Sequence, residues 1–399
     1  MTKSKKVLIS GASIAGPTLA FWLVKYGYQV TIVERASSLR LGGQNIDISG
    51  PAEEVINKMR IKTAVRDANT GEIGLQFIGQ DNEPKASFPK EAALTGTREL
   101  EIIRGDLVSI LYDNTKQSVT YQFGDSITSI EQYPDHVKVT FSSSKTETFQ
   151  LVIAADGIRS STRELVFGKE PIFKYLGLYI AYMTIPRHKN DTRWWRWYTA
   201  VNKRVLMLRP DNHGTMRASV AFLEADKGYE KLSADKQKDL LKKKLVGAGW
   251  EAERISDALE KSDDVYLDKI GQIKAPRWSV GRVAMVGDAA YCPSPLSGKG
   301  ASLAIVGAYV LAGELARHEN HEDAFVAYEK CLRPYVEKIQ NLPPGVPWIV
   351  YPKTRFGVAL LNTFAGIFAS KPVQKVVNLF NSKSKEKTKE EGFELPDFN

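Results

Sequence analysis

One acidic residue and a set of glycines near the N-terminus have the types and spacing to bind a phosphorylated cofactor. Gly11, Ser13 and Gly16 follow an apolar run and take the three positions where the dinucleotide-binding fingerprint carries glycine, so its middle glycine is replaced. Gly11 would allow a tight strand-to-helix turn, and Gly16 would let the helix and strand pack closely. Glu34 closes the next apolar run, at the distance where an acidic residue binds ribose hydroxyls. The alternative is an ordinary strand–helix–strand turn with a surface glutamate.

Two further motifs each place an aspartate beside a glycine at the end of an apolar run. Asp156-Gly157 follows LVIAA, and Gly287-Asp288 follows VAMV. The second pair leads through a loop rich in proline and glycine to a helix that starts near Gly300. An aspartate there can accept from a ribitol or ribose hydroxyl, and a helix start can stabilise negative charge. Taken alone, each motif is only a turn signal.

The elements that position these motifs predict a mixed α/β fold with a Rossmann-like nucleotide-binding domain that is split in the sequence. Residues 1–170 and 270–320 have the strand–helix–strand pattern of that domain. Residues 171–269 alternate apolar and polar positions, are rich in aromatics and predict an inserted antiparallel sheet, to which a small part of 75–105 could contribute. We expect bridging helices over 321–380 and a charged, frayed tail over 381–399.

The composition excludes several classes of protein. Of 399 residues, 43% are hydrophobic and 25% charged, as in globular domains, and the net charge of +9 is spread along the chain without a nucleic-acid-binding motif. No apolar stretch reaches the roughly 20 residues that span a bilayer, so stable membrane insertion is not expected. With two cysteines, a cytoplasmic protein is predicted. A monomer is expected, with a dimer left open.

In this order, the three motifs resemble the class A FAD-dependent monooxygenases, the para-hydroxybenzoate hydroxylase-like enzymes. The stretches RLGGQNIDISG, EIIRGDL, LVIAADGIRS and GDAAYCPSPLSG are similar to those of the tetracycline-inactivating monooxygenases. The resemblance implies FAD as cofactor, NADPH or NADH as a transient co-substrate, and O₂ activated as a C4a-hydroperoxyflavin. It implies hydroxylation of an aromatic or polyketide-like molecule, tetracyclines being the named candidates.

The resemblance also assigns residues to the cofactor. The positions are Gly11, Ser13, Ile14, Ala15, Gly16, Glu34, Arg35, Gly43, Gln44, Asp47, Arg104, Asp156, Gly157, Gly287, Asp288, Pro295, Gly298, Gly300 and Ala301. Pro295 would lie near the reaction centre, where no acid–base residue is required. Tyr291, Lys299 and Ser302 depart from the family pattern, and Lys299 and Ser302 would sit where the helix start faces the flavin ring.

The substrate contacts are expected on the inserted sheet and on the loop before the last cofactor helix. Trp195 and Trp197, in the run RWWRWYTA, and Pro295 and Leu296 are the candidates, since aromatic faces suit a flat polycyclic ligand. The alternative for either tryptophan is a place in the sheet core. No metal site is expected, because the pair His318 and His321 lies among charged residues typical of a solvated surface.

Two other functions remain open from the sequence. The same fold serves flavin-dependent reductases and halogenases, although halogenases usually carry W-x-W-x-I-P and the run WRWYTA lacks the Ile-Pro. A flavin-binding or ligand-sequestering protein without turnover would also fit, with the departures at Lys299 and Ser302 as its only support.

Overall fold

The computed structural model describes residues 5–90, 100–370, 373 and 392–398. Its strands are β1 (Lys6–Ser10), β2 (Gln29–Glu34), β3 (Asn45–Ile48), β4 (Gly74–Ile78), β5 (Pro84–Pro89), β6 (Leu100–Ile103), β7 (Thr120–Phe123), β8 (Ile127–Gln132), β9 (Val137–Phe141), β10 (Thr146–Phe149), β11 (Leu151–Ala154), β12 (Ile172–Pro186), β13 (Trp195–Ala200), β14 (Arg204–Pro210), β15 (Thr215–Leu223), β16 (Tyr266–Lys274), β17 (Ser279–Val280) and β18 (Val283–Met285). Its α-helices are α1 (Ala15–Lys25), α2 (Pro51–Lys58), α3 (Lys62–Asp67), α4 (Arg104–Asp113), α5 (Ser161–Phe167), α6 (Ala234–Leu245), α7 (Ala252–Lys261), α8 (Asp288–Tyr291), α9 (Gly300–Arg317), α10 (His321–Gln340) and α11 (Arg355–Ala369).

A largely parallel sheet carries all three glycine motifs. Its six strands run in the order β17-β18-β11-β1-β2-β7, and β1 pairs in parallel with β2 and with β11, which pairs in parallel with β18. The apolar runs of β1 and β11 are almost wholly buried, as expected of parallel strands covered on both faces. Because the carboxyl ends of these strands meet at one edge, the turns after β1, β11 and β18 lie together there.

The second sheet, of seven strands, draws on residues from both sides of the predicted insertion. Its order is β16-β12-β15-β14-β13-β4-β5, and β4 pairs in parallel with β13. Residues 74–89 therefore supply two strands, and β16 continues to Lys274, past the expected boundary at 269. No local pattern announces a parallel pairing between strands more than 100 residues apart, so the sequence could not fix these boundaries.

The two faces of the seven-stranded sheet have different partners. Along β12, Tyr179 and Ala181 pack into a core with α6 and α7. The alternate residues Leu178 and Ile180 belong to a second apolar cluster that includes Trp195 and Trp197. Because side chains alternate along a strand, one face of the sheet packs against α6 and α7 and the other face borders a cavity.

The C-terminal part differs from the prediction at its end. α10 and α11 fall within the segment expected to be helical, residues 341–354 between them hold no α-helix, and residues 371–380 lie outside the described residues apart from residue 373. The frayed tail is wrong for residues 392–398: the Tyr309 hydroxyl donates to the Pro396 carbonyl at 2.9 Å, and the Phe398 ring packs on Tyr309 and under the Arg317 guanidinium. Within the described residues, α9 is long and apolar enough to cross a membrane, but 78% of its apolar window is buried inside the protein.

Candidate active site

The first cavity, of about 680 Å³, opens at the carboxyl edge of the parallel sheet. Predicted cofactor residues form much of its wall: Gly11, Ser13, Glu34, Arg35, Gly43, Gln44, Arg104, Asp156, Gly157 and Asp288. This is the place where doubly wound sheets bind their ligands.

The two outer glycines of the fingerprint serve the backbone. Gly11 has φ +110°, and a Cβ there would lie 2.5 Å from the carbonyl oxygen of Ala155, so the turns after β1 and β11 touch. A Cβ on Gly16 would lie 2.0 Å from the carbonyl oxygen of Gly11, which leaves no room for a side chain between strand and helix. Gly287 similarly faces Ala15, at 3.0 Å from an added Cβ to that residue's Cβ. Gly16 and Gly287 therefore do not line the cavity but allow the close packing of the elements that form it.

Ser13 makes a specific contact in place of the missing middle glycine. Its hydroxyl oxygen accepts a hydrogen bond from Nη1 of Arg104 at 3.1 Å. The other terminal nitrogen of Arg104 donates to the carbonyls of Arg40, at 2.9 Å, and Gly42, at 2.6 Å. The guanidinium thus ties the fingerprint turn to the loop of residues 40–44, which we call the cofactor loop. Since a guanidinium presents its donors in a fixed fork, this contact fixes the loop in one geometry.

Two glycines allow the cofactor loop to pass close to α4. A Cβ on Gly43 would lie 2.7 Å from Nε of Arg104. A Cβ on Gly105 would lie 1.5 Å from the carbonyl oxygen of Leu41, so only glycine fits there. Gly105, in the run RGDL, was not predicted from the sequence to have this role.

Glu34 holds the fingerprint turn from the end of β2. Its carboxylate accepts from the backbone N–H groups of Ala12 and Ala36, both at 3.0 Å, and lies 3.9 Å from the Arg40 guanidinium. The side chain is about 15% exposed and faces the first cavity, so it can also accept from a ligand hydroxyl. The structure therefore leaves this carboxylate accessible to a ligand in the first cavity.

The Asp156-Gly157 motif joins the first cavity to the loop after β18. Asp156 accepts from the Ser160 hydroxyl and from Oγ1 of Thr162, at 2.9 Å for the latter, which holds the start of α5. Arg163 is buried and donates to the carbonyls of Ile158 and Ala289, at 2.8 and 3.0 Å. The Arg163 guanidinium therefore braces the backbone between the two motifs.

A second cavity, of about 510 Å³, lies between the seven-stranded sheet and the start of α9. It shares Ser13, Gln44, Arg104, Gly157 and Asp288 with the first cavity, so the two are continuous. The other predicted residues along its wall are Ile14, Ala15, Asp47, Trp195, Trp197, Pro295, Leu296, Gly298, Gly300 and Ala301. The expected cofactor and substrate residues thus meet at one elongated space.

Asp288 stands where the two cavities join. Burial raises the pKa of its carboxyl above the ordinary value. A Cβ on Gly300 would lie 3.9 Å from its Oδ1, so the carboxyl faces the beginning of α9. Burial likewise raises the pKa of the neighbouring Cys292 thiol, which therefore stays protonated. A protonated thiol is a poor nucleophile, in keeping with a packing role for this cysteine.

The three departures from the family pattern have structural partners of their own. Lys299 lines the second cavity and its ammonium donates to Oγ of Ser49 at 2.7 Å. Ser302 is wholly buried and accepts from the Ser49 backbone N–H at 3.1 Å. The expectation that Ser302 faces the flavin ring is therefore wrong: it fastens α9 to the turn between β3 and α2. Tyr291 is buried too, where its hydroxyl meets that of Tyr328 at 3.1 Å.

The tryptophans of β13 line the second cavity and rest on a buried charge cluster. Their ring centroids are 5.6 Å apart, and the Arg209 guanidinium lies 4.2 Å from the Trp195 ring. Arg209 donates to Glu72 at 2.8 Å and to Glu101 at 2.9 Å, and both carboxylates are fully buried. One cation between two carboxylates leaves an excess of negative charge.

The excess charge favours a proton on this cluster. Burial, reinforced by Glu101, raises the pKa of Glu72 to about 8. Among the described residues, Oε2 of Glu101 and Oδ1 of Asn45 are buried without a hydrogen-bond partner. The sequence analysis missed this cluster, although an arginine inside the apolar run VLMLRP was a usable signal.

The residues of both cavities fit FAD. Neither α1 nor α9, both fully described, carries an acidic residue in its first turn. Their N-termini therefore keep the partial positive charge that attracts a pyrophosphate and a reduced flavin. Glu34 suits the ribose of the adenosine half, and Asp288 lies where the ribityl chain would cross from one cavity to the other. The fit rests on shape and donor chemistry together.

Comparison with known proteins gives the same assignment. Residues 4–341 match the model of the FAD-binding domain family. A flavin-dependent monooxygenase of Legionella longbeachae is 38% identical over 346 residues, covering 86% of this chain and 88% of its own length. The flavin-dependent monooxygenase eupH of a Phoma species is 35% identical and covers 99% of this chain and 98% of its own length.

A solved structure extends the match over the whole chain. The crystal structure of tetracycline destructase Tet(55) superposes with a TM-score of 0.81 at 33% identity, with complete coverage of both chains. The chain is thus a flavoprotein with the FAD-binding fold. It belongs to the class A FAD-dependent monooxygenases, as the resemblance had indicated.

Proposed function

We propose that this enzyme uses NAD(P)H and O₂ to hydroxylate an aromatic or polyketide-like molecule in the second cavity, and that tetracyclines are the first substrates to test. The observation that carries the proposal is the continuity of the two cavities, which brings a space walled by Trp195 and Trp197 against the region that suits the flavin. The relatedness to tetracycline destructases Tet(55) and Tet(51), at 33% and 31% identity, supports the choice of substrate.

The chain's own residues have positioning roles in this proposal. FAD supplies the oxygen chemistry when bound. Trp195 and Trp197 offer flat apolar faces to a polycyclic ligand, and Pro295 and Leu296 form the wall that faces them near the start of α9. The loop at Pro295 is rigid, because Ser294 adopts φ +79° and its hydroxyl accepts from the Leu296 N–H at 3.2 Å. A rigid wall favours one orientation of the substrate and excludes water from the reacting atoms.

The cofactor residues named above are part of the same proposal. Gly11 to Gly16, Glu34 and Arg35 would hold the adenosine diphosphate, and Gly43, Gln44, Asp47 and Arg104 would lie along the flavin and ribityl chain. Asp156 and Gly157 would border the pyrophosphate. Since the described residues include no second fingerprint strand–helix unit, the nicotinamide cofactor is proposed to visit the first cavity transiently. We also propose that the enzyme is cytoplasmic and monomeric.

The deciding experiment measures NADPH and NADH consumption in air by the FAD-loaded protein, with and without a tetracycline, and records the product mass. Faster consumption with a product heavier by one oxygen atom supports the proposal. Faster NAD(P)H consumption without a heavier product would mean that the tetracycline binds and triggers flavin reduction but is not oxygenated. No response to any member of a broad aromatic panel favours a flavin-binding protein without turnover.

A further inference from the structure

An apolar stripe follows the outer face of α11. Phe356, Leu360, Phe364, Ile367 and Phe368, which we call the α11 stripe, are 45–78% exposed. Their spacing of three and four residues places them on one side of the helix. Seven of the sixteen exposed large apolar side chains in the described residues fall between 348 and 368. A soluble helix normally turns such a stripe toward the core.

The inner face of α11 is held lightly. The helix lies on β5, the edge strand of the seven-stranded sheet, and none of its fifteen residues is fully buried. Residues such as Val358 and Leu361 are half-buried on that side. The helix is therefore apolar on both faces, and among the described residues only one of these faces has packing partners.

The charged residues of the segment that carries the stripe are of one sign. Residues 341–370 contain no aspartate or glutamate, while Lys353 and Arg355 stand at the start of α11. Just before them, Trp348 is 58% exposed and the Lys203 ammonium lies 5.9 Å from its ring. An exposed tryptophan, basic residues and an apolar stripe within one segment are typical of helices that lie in the headgroup region of a membrane.

We propose that the α11 stripe binds the surface of an anionic lipid bilayer, with the helix lying parallel to the membrane plane. At fifteen residues, α11 is about 22 Å long, shorter than the roughly 30 Å hydrocarbon core, so the protein associates without spanning. Anionic headgroups provide the negative charge that Lys353 and Arg355 do not find within residues 341–370. A second copy of the chain would bring the same cations and no acid from this segment.

The surface also adjoins the substrate space. Tyr351, between Trp348 and α11, is buried and lines the second cavity. Membrane contact would therefore place one end of that cavity near the lipid interface, where polycyclic and aromatic molecules concentrate. The docking proposal does not depend on turnover and can be tested without it.

The test is flotation of the full-length, FAD-loaded protein with vesicles of phosphatidylcholine, alone or containing about a quarter phosphatidylglycerol. The variant is the double substitution L360Q and F364Q, whose side chains are half-exposed, and the control is V326Q, an exposed apolar residue on α10. We expect binding to the anionic vesicles to weaken at least tenfold in the double variant and to stay unchanged in V326Q. Raising the salt should weaken binding by the unaltered protein.

A second readout locates the contact. Brominated lipids should quench tryptophan fluorescence in the unaltered protein, and W348F should lose most of that quenching while its FAD absorbance and thermal melting stay as before. Equal flotation of the double variant and the unaltered protein would overturn the proposal. So would a concentration-dependent dimer, seen by sedimentation and abolished by the double variant, if no vesicle binding occurs: the stripe would then be an interface between two copies.

Discussion

Replacing Arg104 by methionine tests whether this side chain orders the cofactor loop. In the structure its guanidinium donates to the Arg40 and Gly42 carbonyls and to the Ser13 hydroxyl. A hydrogen bond to a charged group contributes about 1.5–3 kcal/mol, and the lower figure applies here because water can reach the two carbonyls. The two carbonyl contacts together therefore stabilise the loop by about 3 kcal/mol, equivalent to roughly a 100-fold change in an equilibrium constant.

That energy should appear in FAD affinity. If the loop is released in R104M, FAD must order it again on binding, and we expect the FAD dissociation constant to rise between about tenfold and 100-fold. R104K should fall between the two proteins, because an ammonium keeps the charge but cannot bond both carbonyls and the hydroxyl in the same fork. The assay is titration of apoprotein with FAD, followed by quenching of flavin fluorescence, with thermal melting of each apoprotein alongside.

The matched control restores the ordinary fingerprint. S13G removes one acceptor of Arg104, which is about 1.5 kcal/mol by the same figure, and leaves both carbonyl contacts, so the FAD dissociation constant should rise by no more than about tenfold and by less than in R104M. The reasoning is refuted if R104M binds FAD within twofold of the unaltered protein at unchanged melting temperature. It is equally refuted if S13G weakens FAD as much as R104M does, since the loop contacts would then be irrelevant.

Three further predictions concern packing, pH and the substrate cavity. G105A should lower the free energy of unfolding by about 3 kcal/mol or more, because its Cβ would lie 1.5 Å from the Leu41 carbonyl oxygen. G42A, with open space around its Cβ, should keep the free energy of unfolding within about 1 kcal/mol of that of the unaltered protein. Chemical denaturation measures both variants, and equal effects would contradict the close approach at Gly105. The pKa of Glu72 is raised in the folded state from 4.5 to about 8, so stability is lost as pH rises through that range. E72Q should therefore flatten the decline of the melting temperature between about pH 5 and 8, and parallel curves would rule out a proton on this carboxyl. If the second cavity binds the substrate, W197A should raise KM about tenfold without changing FAD affinity, which corresponds to a loss of about 1.4 kcal/mol of binding free energy. An unchanged KM for the identified substrate would show that Trp197 is not part of the binding site.

Local patterns were sufficient for the nucleotide-binding half of the molecule. The glycines at 11 and 16, the acid at the end of β2 and the two Asp–Gly pairs each follow a buried parallel strand, and strand ends in such a sheet necessarily meet at one edge. The fold class, the FAD assignment and the monooxygenase family therefore followed from residues close in sequence. Even so, the sequence did not show that Ser13 bonds Arg104, since 91 residues separate them.

The remaining features required the tertiary structure, because each joins distant segments. The parallel pairing of β4 with β13 adds residues 74–89 to the second sheet, and the cluster of Glu72, Glu101 and Arg209 collects three ionisable groups from a loop and two strands that are distant in sequence. The same holds for Ser302, whose bond to Ser49 moved it from the expected flavin contact into the core. The sequence by itself determined which turns can hold a dinucleotide, because the glycines and the acid in these turns act through their own backbone conformation or through residues close in sequence. Only the folded chain decided which charges share a cavity and which apolar face of α11 stays exposed, because burial and charge pairing depend on what packs opposite.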